Sequence, residues 1–100
     1  MVSKIRWTTE SLNDLLSIYE FIAKDSSRYA QIQIENIQNA VSNLQTFPLM
    51  GHIVPEFPHL AYREILSGNY RIIYKHDESG NEIIIMFVAH GRQLLKKLPE

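Results

Sequence analysis

Residues 62–76 read YREILSGNYRIIYKH, two short runs rich in apolar residues on either side of Ser67-Gly68-Asn69. Two such runs around a glycine turn are the mark of a β-hairpin. Three cations, Arg63, Arg71 and Lys75, sit among the apolar positions. An arginine in a strand is either a paired surface charge or a means of meeting an anion. Strand side chains alternate between faces. With a two-residue turn, Glu64 shares a face with Arg71, as Tyr62 does with Ile73. The other face then carries Arg63, Ile65, Tyr70, Ile72 and Tyr74. It is richer in apolar area, so it is predicted to meet the helices, leaving Tyr62, Glu64 and Arg71 facing outward. A three-residue turn would exchange the two faces. Arg71 is then either the cross-strand partner of Glu64, worth a few tenths to about 1 kcal/mol, or a guanidinium available to an anion or a partner protein. Arg63 reads as an edge residue whose stem packs while its head reaches water.

The rest of the chain is arranged around this hairpin. Residues 3–7, SKIRW, alternate as an opening strand. Thr8 and Thr9 resemble helix-start residues, and Glu10 suits the positive helix end. Leu12, Leu15, Leu16, Tyr19, Ile22 and Ala23 recur at helical spacing, giving a helix over about 9–25. Asp25, Ser26 and Ser27 interrupt it and can cap a second helix with the stripe Ala30, Ile34, Ile37, Val41 and Leu44. Its other face is largely uncharged amide, and it ends before Pro48 because the residue preceding a proline leaves the α region. Residues 47–60, FPLMGHIVPEFPHL, hold three prolines and a glycine and form an extended loop. Phe47, Leu49, Ile53, Val54, Phe57 and Leu60 are expected to pin it to the body. Strands are expected over about 61–66, 70–76 and 82–89. The last, EIIIMFVA, is apolar on both faces and therefore central. The tail GRQLLKKLPE reads as a short final helix. The fold class is α+β: an N-terminal strand, then a helical hairpin packed on an antiparallel β-meander, in a single domain over residues 1–100.

Composition narrows the functions available. The chain has 100 residues and no cysteine, so disulfides and thiolate metal sites are excluded and a reducing cytoplasm suits it. No apolar run is long enough to span a bilayer, and the N-terminus has no signal-peptide core. A net charge of −1 argues against a general nucleic-acid binder. His52, His59, His76 and His90 share no ligand spacing, so no metal or cofactor is expected. Trp7, at the end of the first strand, is read as core or rim packing.

The runs WTTESLNDLLSIYEFI, LQTFPLMGHIVPEF, YREILSGNYRIIY and VAHGRQLL resemble, in this order, the RelE/ParE superfamily of toxins from type II toxin–antitoxin modules. The most telling pieces are Gly68-x-Tyr70-Arg71-Ile72-Ile73-Tyr74 and His90-Gly91-Arg92. The resemblance implies the β-α-α-β-β-β fold above, a cytoplasmic location and a cognate antitoxin partner. It also implies one of two targets: messenger RNA in the ribosome for the RelE-like branch, DNA gyrase for the ParE-like branch. In RelE-like nucleases two lysines and an arginine on the open sheet face, an arginine after the last strand and a C-terminal tyrosine share the chemistry. Carried over, Arg71 and Arg92 match the arginines, the lysine positions fall at Tyr62 and Glu64, and the tyrosine position falls near Leu98. The phosphate-holding groups remain while the proton-moving groups are missing, and Glu64 repels phosphate. Docking on gyrase is therefore expected over cleavage.

Three readings stand side by side: a gyrase inhibitor that makes no bonds, a ribosome-dependent endoribonuclease, and a decayed toxin that only binds its antitoxin. For the nuclease, the candidates are Arg71, Arg92, Glu64 and His90, with Glu56 a possible substitute for Glu64; a lone strand-end histidine is more often structural. The residues expected to contact a partner are Arg71, Arg92, Met50, Ile53, Val54 and Phe57.

Overall fold

A computed structural model describes residues 3–91; Arg92, the position near Leu98 and the rest of the expected tail helix lie outside the described residues. Strand β1 spans Lys4–Trp7, helix α1 Thr9–Ala23 and helix α2 Ser27–Ser42, which tightens into a 3-10 turn over Asn43–Gln45. Strands β2 (His52–Ile53), β3 (Arg63–Ser67), β4 (Tyr70–Asp77) and β5 (Glu82–His90) follow. No helix among the described residues is long and apolar enough to cross a membrane.

Both helices begin where hydroxyls can satisfy their first amides. Thr8 Oγ1 accepts from Ser11 N at 3.1 Å, and Ser26 Oγ accepts from Tyr29 N at 3.1 Å. The sheet order is β1-β5-β4-β3-β2, so β5 lies inside the sheet as its two apolar faces require. β1 pairs with it in parallel, and the other pairings are antiparallel. The expected meander is thus present and gains a strand at each edge. β2 was illegible because a two-residue strand among prolines carries no periodicity.

Ser67 lies opposite Tyr70, so the hairpin turn is the two-residue Gly68-Asn69. Gly68 carries the positive φ of 58° that such a turn demands, and a Cβ there would come 2.9 Å from Gln33 Nε2. This register settles the faces. Ile65, Ile72 and Tyr74 join Ile83, Ile85 and Val88 in the main core, against Leu15, Ile37, Val41 and Leu44 of the helical layer. Between Ile73 and Tyr74 the register slips, leaving Met86 as the extra residue of a bulge. The slip changes the parity of β5, so that Val88 faces the helices together with Ile83 and Ile85.

α1 also guards the edge of β5 where β1 has ended. Thr8 Oγ1 lies 2.9 Å from the carbonyl oxygens of both Ile85 and Met86, and Asp14 Oδ2 accepts from Val88 N at 2.9 Å. Trp7 packs, half-buried, on the main core. Three expected members of the α1 stripe are corrected: Leu12, Leu16 and Tyr19 are exposed, because the helix turns Ser11, Leu15 and Ile18 inward and the stripe was wider than the contact.

Candidate functional site

The outer face of the sheet is not open. Val54, fully buried, sits there with Ile73, Ile84 and Met86, and Phe57, Tyr62 and Phe87 pack around them. The prolyl loop thus folds back over the strands. Val54 N donates to Tyr62 O at 3.2 Å, and Phe57 N turns back to Val54 O at 3.0 Å. That turn carries Glu56 onto Arg71.

Arg71 lies opposite Leu66 on β3 and Ala89 on β5. Its guanidinium meets two carboxylates. Nη1 and Nη2 donate to Glu56 Oε2 and Oε1, both at 2.7 Å, in a bidentate fork. Nε and Nη2 donate to Glu64 Oε2 at 2.8 and 2.5 Å. The side chains of Arg71, Glu56 and Glu64 are only 6%, 15% and 12% exposed, which makes this a largely buried ion triad rather than a surface pair. The bond to Glu56 most of all, then the bond and charge of Glu64, raise the arginine's pKa against the opposing effect of burial, so it stays cationic at every working pH. The expected cross-strand pair with Glu64 is present. The second carboxylate was invisible in the sequence, because only the loop's return brings Glu56 within reach. An open depression of about 450 Å³ lies beside the triad, lined by Pro55, Glu56, Glu64, Leu66, Arg71 and Gly91.

A second set of contacts fixes the base of the loop. Buried Tyr74 donates from its hydroxyl to Pro48 O at 2.8 Å and accepts from Gly51 N at 3.0 Å. Burial raises its pKa. Arg63 Nη1 donates to Gly51 O at 2.8 Å, so its head holds the loop instead of reaching freely into water as expected. A Cβ on Gly51 would come 2.7 Å from both Glu64 O and the Tyr74 ring, so only glycine fits there.

Other residues singled out in the sequence fall elsewhere. His90 lies opposite Tyr70 and meets its ring edge-to-face at 5.9 Å. Alternation places it on the helix side of β5, whereas Glu64 lies on the outer side, so the two do not form one centre. Met50 and Ile53 are exposed, with Phe47, Leu49 and Leu60. The four of these expected to pin the loop (Phe47, Leu49, Ile53 and Leu60) do not; Val54 and Phe57 do. Val54 in turn has no surface to offer a partner. Among the described residues no group of three or more His, Asp or Glu side chains could hold a metal ion. The triad therefore holds the loop on the sheet, and Arg71 has no fork left for a phosphate while Glu56 stays in place.

The fold is shared with solved toxin structures. The chain is similar to a chain of the chromosomal ParDE toxin–antitoxin system from P. aeruginosa at 20% identity and a TM-score of 0.71, over 89% of this chain and 96% of that one. It is similar to a chain of the RelBE2 toxin–antitoxin complex from Mycobacterium tuberculosis at 23% identity and a TM-score of 0.61, over 90% of this chain and 99% of that one. A YoeB/ParE toxin from Agrobacterium tumefaciens aligns at 21% identity and a TM-score of 0.61, over 87% and 96% of the two chains. No curated protein sequence matches the chain closely enough to show kinship. The model of the ParE toxin of type II toxin–antitoxin systems, however, matches residues 5–95, nearly the whole length. The chain belongs to the ParE toxin family.

Proposed function

We propose that this toxin acts in the cytoplasm by docking on DNA gyrase and inhibiting it, with no bond made or broken by the toxin itself. The observation that carries this reading is the occupied fork of Arg71. A ribonuclease needs a cation open to the scissile phosphate and groups that move protons to and from the reacting oxygens. Here the cation of the sheet face, Arg71, is bound by Glu56 and Glu64. The two positions where the RelE-like pattern has lysines carry Tyr62 and Glu64. His90 lies on the opposite face from Glu64. Ribosome-dependent cleavage is the competing outcome.

A supercoiling assay with purified toxin tests the reading. Loss of gyrase activity at toxin excess is expected, together with no A-site cuts in toeprints of translating ribosomes. Full gyrase activity beside a cooperatively folded toxin, or A-site cuts that vanish on replacing Glu64, would overturn it.

We further propose a cognate antitoxin whose extended or helical segment covers the base of the prolyl loop. Leu49, Met50 and Ile53 expose apolar surface there, and β2 lies at the edge of the sheet, where an extended segment can add alongside. Hydrogen exchange should slow across residues 47–60 when the antitoxin is bound. Unchanged protection there would place the antitoxin elsewhere.

A further inference from the structure

We infer that Glu56 is a built-in anion: its carboxylate occupies the Arg71 fork and thereby keeps nucleic-acid phosphate off the outer face of the sheet. This makes Glu56 a specificity-determining residue, and its biological meaning rests on the docking reading above. Four observations lead to it. The two Glu56 oxygens meet Nη1 and Nη2 in parallel at 2.7 Å, the arrangement in which a guanidinium also grips two phosphate oxygens. Second, the two carboxylates are held differently. Glu64 belongs to β3, inside the sheet, so its backbone is fixed by strands on both sides. Glu56 sits within the Val54–Phe57 turn of the loop, so its backbone can shift with the sheet intact.

Third, the site has somewhere for an anion to go. The depression beside the triad is lined by Glu56 itself, with Leu66 and Gly91 around the arginine. Taking away the Glu56 charge leaves Glu64 on Nε and Nη2 and removes the carboxylate that meets Nη1 beside that space. Fourth, the charges are lopsided: two carboxylates face this one guanidinium. A phosphate approaching Arg71 meets like charge from both carboxylates. Neutralising Glu56 removes one of the two like charges, and neutralising both glutamates removes the repulsion while the guanidinium keeps its charge.

The test uses the full chain and a short fluorescein-labelled oligouridylate, followed by fluorescence anisotropy at low salt. E56Q keeps the shape of the side chain and one acceptor for the arginine. It should bind the oligonucleotide more tightly than the unaltered protein. E56Q/E64Q should gain about tenfold or more, as expected when a charge-assisted pair replaces like-charge repulsion. The gain should shrink as salt rises. Inorganic phosphate should compete, and adding R71Q should abolish the gain. Circular dichroism and urea unfolding establish that each variant is folded. If the double variant fails to fold, E56Q alone carries the prediction. A folded variant that binds no better than the unaltered protein overturns the inference, as does a gain that survives R71Q. Supercoiling inhibition by the unaltered toxin is measured separately. Its presence without any gain in E56Q sinks this inference alone, and its absence beside a gain sinks only the docking reading.

Discussion

The two faces of the sheet are built from the same strands and held by different physics. On the helix side, Ile72, Tyr74, Ile83, Ile85 and Val88 meet Ile37, Val41 and Leu44, and the contact is apolar almost throughout. On the outer side, four buried apolar residues lie beside an ion triad of three long polar side chains. Apolar burial is non-directional and needs only shape and area. A buried ion triad must have each charge placed to within a hydrogen bond, or its desolvation is not offset. One face therefore tolerates modest change, while the other fails or survives with single atoms.

The largest effect should come from separating these two cases. Arg71→Ala strands two partly buried carboxylates with their guanidinium gone, and a loss of about 3 kcal/mol, the low end for a broken buried pair, is expected in urea unfolding. Ile85→Ala on the helix face should cost a similar amount, about 2–5 kcal/mol, by opening a cavity. The responses to repair divide them. Replacing Arg71, Glu56 and Glu64 together by apolar residues of similar volume should restore or exceed the original stability, because the desolvation penalty goes with the charges. A triple variant as unstable as Arg71→Ala would mean that the outer face needs its ions for folding.

The division between faces also marks what the sequence made legible. The helices, the three long strands, the turn and the inward side of the hairpin all follow from periodicity and capping, signals that recur every two to four residues. Thr8 and Ser26 are such signals, and both cap. The α1 stripe was overread at Leu12, Leu16 and Tyr19, since a helix wheel does not say how wide the contact will be. The outer face was read as open because its cover is a loop. Nothing in FPLMGHIVPEFPHL announces that Val54 turns inward while Ile53 does not, or that Glu56 returns to Arg71. Half of the triad was visible as a cross-strand pair; the other half depended on a chain reversal around prolines that leaves no pattern.

An intermediate effect should come from the contact that joins the two faces. The Tyr74 ring lies in the helix-side core, yet its hydroxyl holds the loop that covers the outer side, through Pro48 O and Gly51 N. Tyr74→Phe leaves the ring in place and deprives the Gly51 amide of its acceptor. A loss of about 1–3 kcal/mol is expected, the cost of an unsatisfied buried donor. Hydrogen exchange should accelerate at Gly51 and across the turn to Val54 far more than in α2. Uniform acceleration across the molecule would show instead that the loop and the main core open as one unit.

The smallest effect concerns the point where the helix layer meets the sheet by charge rather than by apolar contact. Asp14 accepts from Val88 N at the edge of β5, and burial, reinforced by nearby Glu10, raises its pKa above the usual 3.8 while the Val88 bond acts to lower it. A carboxyl whose pKa is raised by folding is held more readily in its neutral form in the native state than in the unfolded chain. Its stabilising contribution is therefore complete below the ordinary value and is lost as pH rises through the raised one. Asp14→Asn keeps an acceptor for the Val88 amide and removes the charge. At pH 7 the variant should match the unaltered protein or exceed it by up to about 0.5 kcal/mol, within the range of a partly exposed side chain. The gap should close as pH falls below the usual carboxylate range, where the aspartate is neutral in both states. A variant clearly weaker at pH 7 would mean that the charged bond to Val88 outweighs the burial of Asp14, and that the helix-side layer, too, depends on one placed ion.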